Sequence, residues 1–116
     1  MSKRKLVFIA IPTKGTVTDG ALNESFLRAF AALQMRFPDI TFWAPMVQDY
    51  QLLRFMPSTA ATWEEWGQHC RVMIERSDEV WVLQFDGWET SVGVKGEVYH
   101  AGLHDVTVKY FNPEII

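Results

Sequence analysis

The chain is poor in cysteine, in long apolar runs and in clustered basic charge, and each shortage removes a class. Its one thiol, Cys70, cannot close an internal disulfide, so a disulfide-stapled scaffold is excluded. No stretch approaches the roughly 20 consecutive apolar residues of a membrane-crossing helix, so no membrane partner is expected. The 11 Lys and Arg residues are scattered against 14 Asp and Glu, for a net charge of −3, which argues against a nucleic-acid polymer as partner. Internal repeats and low-complexity segments are absent. Met1-Ser-Lys-Arg-Lys5 has the basic flank of a signal peptide, but the apolar run after it is short and lacks a small-residue cleavage site. It reads as a first strand, and a soluble cytoplasmic protein is the expectation.

What is present is apolar and periodic. With 116 residues and 48% hydrophobic content, the chain suits one globular domain over 1–116 with a core of its own. Leu6-Val-Phe-Ile-Ala-Ile11 is a continuous apolar run stopped by Pro12, the mark of a strand buried on both faces. Leu22, Phe26, Phe30, Leu33 and Phe37 recur at helical spacing, with Asn23 near the start and Pro38 after the end. Ile40–Ala44 reads as a short strand. Thr62-Trp-Glu-Glu65 is a capping-box pattern that opens a helix ending near Ser77, with Trp63, Trp66, Cys70, Met73 and Ile74 on one face. Val80–Phe85 is a third buried strand, Ser91 to about Gly102 a third helix, and Val106–Phe111 a fourth strand. Strands alternating with helices predict an α/β fold, an open parallel sheet of four to five strands with helices on both faces. The segment from Pro45 to Ala61 has no period and is too apolar for an ordinary loop, which suits either a ligand lid or a subunit contact.

Ligands of such sheets bind at the carboxyl ends of the strands, and the third helix starts there. At about 100° per residue, Gly93, Val94, Glu97, Val98 and Ala101 fill the arc that faces the sheet, with Lys95 and Tyr99 outside it. A carboxylate on that arc loses water and must find a partner or hold its proton. Glu97 is therefore either a carboxylate satisfied within the core or a functional acid. Ser91, Gly93 and Gly96 at the helix start suit an anion such as a phosphate, or else supply an ordinary cap and close packing. Trp88 either stacks on a ligand ring or covers the core, and Asp86 either supplies an acid or shapes a turn. Thr13 and Lys14 follow the first strand, where they could touch a sugar or phosphate, but Pro12–Thr16 lacks phosphate-loop spacing. His69, His100 and His104 do not make a convincing ligand set on sequence grounds; His100 and His104 read as a solvated i, i+4 pair. No metal and no cofactor are expected.

The run Gly87-Trp88-x-x-Ser91-x-Gly93-x-x-x-Glu97, with Asp78 opening the strand before it and Ala101 after it, resembles the nucleoside 2-deoxyribosyltransferase-like superfamily. The likeness is nearest to its small branch with a Gly-Trp-x-x-Ser-x-Gly-x-x-x-Glu pattern. Phe8-Ile-Ala-Ile-Pro12 also looks like that family's first strand, so the resemblance spans most of the chain. It implies a flavodoxin-like, Rossmann-like three-layer sandwich and action on the N-glycosidic bond of deoxynucleosides or their 5′-monophosphates. It also implies a homo-oligomer, a dimer or larger.

By this resemblance Glu97 is the catalytic nucleophile at the anomeric carbon, and Ser91 with Gly93 holds the sugar's 5′ group. Serine rather than an acid there suits a 5′-phosphate. Phe8, Pro12, Thr13 and Trp88 would line the substrate, and Asp86 is the candidate second acid. Two positions depart from the family pattern. Cys70 stands eight residues before Asp78, where relatives carry an aspartate that serves the leaving base, and Phe8 stands where many have tyrosine. The expected function is thus a nucleotide N-glycosidase or 2-deoxyribosyltransferase-like enzyme, and the alternative is a catalytically impaired nucleotide-binding or sensing module. A structural interaction protein that uses the apolar 50–56 segment is a third reading.

Overall fold

A computed structural model of the chain describes residues 4–12, 20–45 and 67–115. Thr13, the capping box at 62–65 and all but the first residue of the expected lid or contact segment lie outside these. Among the described residues four strands, β1 (Lys5–Ala10), β2 (Ile40–Trp43), β3 (Glu79–Leu83) and β4 (Thr107–Phe111), pair in the order β2-β1-β3-β4. Every pairing is parallel, with Val7 opposite Glu79, Phe8 opposite Trp43 and Leu83 opposite Phe111. Helices α1 (Gly20–Arg36), α2 (Gly67–Glu75) and α3 (Val92–Leu103) alternate with the strands. The expected α/β architecture is the one observed. The chain turns outward in opposite directions from β1 and β3, which makes the carboxyl ends of those two strands the switch point of the sheet.

Alternation along β1 builds two apolar layers. Val7, Ile9 and Ile11 face one way, with Phe42, Ala44, Trp81 and Leu83, and are covered by Phe26, Phe30 and Leu33 of α1. Phe8 and Ala10 face the other way, with Val80 and Val82, and are covered by Cys70 and Ile74 of α2 and by Val94 and Ala101 of α3. Phe8, Ile9, Val80 and Leu83 are wholly buried. Each such side chain contributes about 1.5–3 kcal/mol, so the two layers rather than helix propensity hold the helices in place.

Helix α1 already runs at Gly20, which makes Asn23 an interior residue and not a cap. It ends where Phe37 donates its N–H to Leu33 and Pro38 forbids another turn. Helix α3 has a closed end at each terminus. Ser91 is its N-cap, in extended backbone, and its Oγ accepts the Val94 N–H at 3.2 Å. At the other end Val106 N–H reaches Ala101 O at 2.9 Å and Asp105 N–H reaches Gly102 O at 3.4 Å, a Schellman arrangement. Asp105 takes the left-handed position at φ 56, and Val106 packs in the same apolar layer as Ala101.

The amino ends of the strands are tied by polar contacts. Leu6 donates its N–H to Asp78 Oδ2 at 2.7 Å while Asp78 N–H donates to Leu6 O at 2.8 Å, so Asp78 fixes the entry of β3 beside β1. Glu79 takes Lys5 at 2.7 Å, Lys109 at 3.2 Å and the Trp81 indole N–H at 2.7 Å. Partial burial alone would raise its carboxyl, but the two lysines and the indole outweigh it and hold the acid at about 2.

Candidate functional site

Helix α3 carries the residues that sequence reasoning singled out. Val94, Glu97 and Ala101 are buried on its inner arc, whereas Tyr99 is exposed, in the phase expected from spacing. Glu97 is only 5% exposed although its side chain is an acid, and its surroundings are the apolar layer between α2, α3 and the sheet. Burial pushes its carboxyl up to about 8, while a hydrogen bond from the Cys70 thiol pulls the other way. Near neutral pH the side chain is therefore mostly the protonated acid.

Cys70 thus has a place in the site. It is buried on α2 against the same layer, and its thiol donates a hydrogen bond to the Glu97 carboxyl group. Phe8, wholly buried, lies on this face of the sheet as well, its ring 5.5 Å from that of Trp43. His69 is exposed, on the outer side of α2. The structure brings Phe8, Cys70 and Glu97 onto one face, a grouping that needs three separate elements.

The other expected residues sit at the carboxyl edge of the sheet. Pro12 is buried just past β1. Phe85 to Trp88 form a tight turn closed by Trp88 N–H to Phe85 O at 3.0 Å, with Gly87 at φ 90 in the third position. That backbone favours glycine, and the turn is what Asp86 helps to shape. Trp88 is half-buried against the α2–α3 layer, its ring centroid 5.5 Å from that of Tyr110, as core cover requires. Ser91 spends its Oγ on the helix cap, and the first-turn amides of Val92 and Gly93 precede the first intrahelical bond. A methyl group at Gly93 would meet only Ser91 Oγ at 3.8 Å, so packing does not require this glycine.

Asp86 and Glu97 are not brought together. Asp86 is exposed and lines an open groove of about 510 Å³ on the α1 side of the sheet, with Ser25, Arg28, Gln84, Asn112 and Glu114. Glu97 lies under α2 and α3 on the opposite face. Arg28, the cation of the groove, is paired with Glu24 at 2.7 Å within α1. The sequence places Asp86 and Asn112-Pro113 together at the carboxyl edge of the sheet, but not Ser25 and Arg28, which reach the groove from α1 and which only the tertiary packing makes their neighbours.

A second polar cluster lies at the far end of the same helices. His100 Nε2 is 2.7 Å and His104 Nε2 3.7 Å from Glu75 Oε2 at the end of α2, and the two imidazole rings are 4.5 Å apart. The i, i+4 spacing of the histidines was legible, but the carboxylate that joins them comes from another helix.

Among the described residues no helix is long and apolar enough to cross a membrane. The family described as "Domain of unknown function (DUF1937)" matches residues 7–112, which covers both apolar layers, the α3 start and Glu97. No curated protein matches the chain.

Proposed function

The chain belongs to the DUF1937 family, and we propose that it acts on the N-glycosidic bond of deoxynucleoside 5′-monophosphates, as a hydrolase or a 2-deoxyribosyltransferase, with Glu97 as nucleophile. The observation that carries this reading is the position of Glu97. A carboxyl group in an apolar layer, bonded to a thiol and raised to about 8, weakens the fold at neutral pH and adds no packing that an apolar residue would not give. Such groups cluster at functional sites. In the proposed reaction the ionised form of Glu97 attacks C1′, the base departs, and water or a second base resolves the glycosyl ester. The Cys70 thiol stabilises the ionised form, and the Ser91-capped start of α3 holds the 5′-phosphate through its first-turn amides.

A second reading is a nucleotide-binding module without turnover. It draws on the same Glu97, whose proton is retained at neutral pH where a nucleophile must be ionised. A homo-oligomer belongs to either reading, supported by Val92, Tyr99 and Leu103, which expose apolar surface along the outside of α3.

The test is base release from a panel of deoxynucleoside monophosphates, repeated with Glu97→Ala and Glu97→Gln, beside calorimetric binding of the same nucleotides. Release that disappears in both variants supports the nucleophile, and release should rise with pH toward about 8 as the acid ionises. Release that survives in both removes Glu97 from the chemistry. Binding without release supports the module, and loss of both readouts in the unaltered protein rejects the nucleotide altogether.

A further inference from the structure

We propose that Glu75, His100 and His104 form a divalent transition-metal site of zinc type that clamps the end of α2 to the end of α3. The three residues each offer one ligand atom, and those atoms lie within 4.8 Å of one another. The two imidazoles stand four residues apart, one in the last turn of α3 and one as its C-cap, so both rings rise from the same side of the helix. Glu75 closes the set from the last residue of α2.

The distances suit a tetrahedral ion. Metal–ligand bonds of about 2.0–2.1 Å place neighbouring ligand atoms about 3.3 Å apart. The separations from Glu75 Oε2, 2.7 Å to His100 and 3.7 Å to His104, bracket that value, so a small swing of the carboxylate would equalise them. The chemistry of the set agrees. Two imidazole nitrogens and one carboxylate select zinc-like ions over magnesium or calcium, which want oxygen throughout. His100 is largely covered, with its side chain 13% exposed, while His104 and Glu75 are 44% and 41% exposed. That leaves a route from solvent and a fourth position that no ligating side chain among the described residues fills.

The place in the fold says what the clamp does. Helices α2 and α3 run back across the sheet, so their ends lie at the amino edge of the strands, away from Asp86 and Ser91. The ion would fix the spacing of the two helices whose facing sides carry Cys70 and Glu97, without touching a substrate at the carboxyl edge.

Chelator-stripped protein titrated with Zn²⁺ by calorimetry should take up one ion per chain, with Mg²⁺ giving no uptake. Co²⁺ should give the visible absorption of a four-coordinate site. Because loss of an outer-shell partner alone costs about 10- to 100-fold in metal affinity, Glu75→Gln and His104→Asn, both at exposed positions, should each weaken uptake at least tenfold. His69→Asn should leave uptake unchanged. Zn²⁺ should raise the unfolding temperature of the unaltered protein in a concentration-dependent way, and the Glu75→Gln/His104→Asn double variant should lose that response while keeping its fold by circular dichroism. No saturable Zn²⁺ uptake, or uptake that the double variant retains, would overturn the proposal, as would loss of uptake in His69→Asn.

Discussion

Replacing Glu97 with glutamine converts the cost of a buried acid into a measurable pH dependence. In the unfolded chain the carboxyl titrates near its ordinary 4.5, whereas in the native layer burial holds it at about 8 against the pull of the Cys70 hydrogen bond. Between those values the native state keeps a proton that the unfolded state has lost. Stability is therefore full below the lower value, falls as pH rises by about 1.4 kcal/mol per pH unit, and levels off above the upper one. By pH 7 the native state has given up roughly 3 kcal/mol, a large share of the about 5–15 kcal/mol that a domain possesses. Glutamine keeps the shape and does not titrate, although its buried amide costs about 1–3 kcal/mol at every pH. Urea unfolding of both proteins, followed by circular dichroism from pH 5 to pH 8, should show the variant gaining on the parent by about 3–4 kcal/mol across the interval. The remaining acids and histidines are common to both proteins and largely cancel in the difference. A difference that stays constant with pH to within about 0.5 kcal/mol would refute the buried, protonated Glu97, since such a residue must show linkage.

Three further outcomes follow from the same geometry. Cys70→Val removes the thiol that favours ionised Glu97, so the Glu97 carboxyl should titrate at higher pH, as read by carbon NMR of labelled glutamate, and base release should begin at correspondingly higher pH. Glu79→Gln loses charge-assisted bonds to Lys5 and Lys109; the parent carries this stability above about 4.5 and sheds it as pH falls toward about 2. The variant should be about 1–2 kcal/mol less stable at pH 7 and no different near pH 2, by urea unfolding. Asp105→Gly relieves a left-handed backbone at φ 56 and should raise stability by about 0.5–1 kcal/mol, seen as a thermal midpoint higher by roughly 3–5 °C.

The sequence by itself determined the elements and their inner faces, because both rest on local rules. Continuous apolar runs at Leu6–Ile11 and Val80–Leu83 mark strands covered on both sides, and the recurrence of Phe26, Phe30 and Leu33 phases α1. Helix period alone put Glu97 inside with Val94 and Ala101, and the residue type at Ser91 predicted a cap that the structure shows bonded.

Only tertiary structure decided which residues meet. Sheet order placed Asp86 in a groove on the α1 face and Glu97 under the opposite one, so two acids eleven positions apart in sequence do not share a site. Packing of α2 on α3 set Cys70 against Glu97 and Glu75 against His100 and His104. Periodicity reports which way a side chain faces within its own element; the partner it finds there depends on crossovers and on desolvation by neighbours distant in sequence, and those carry the chemistry of both clusters.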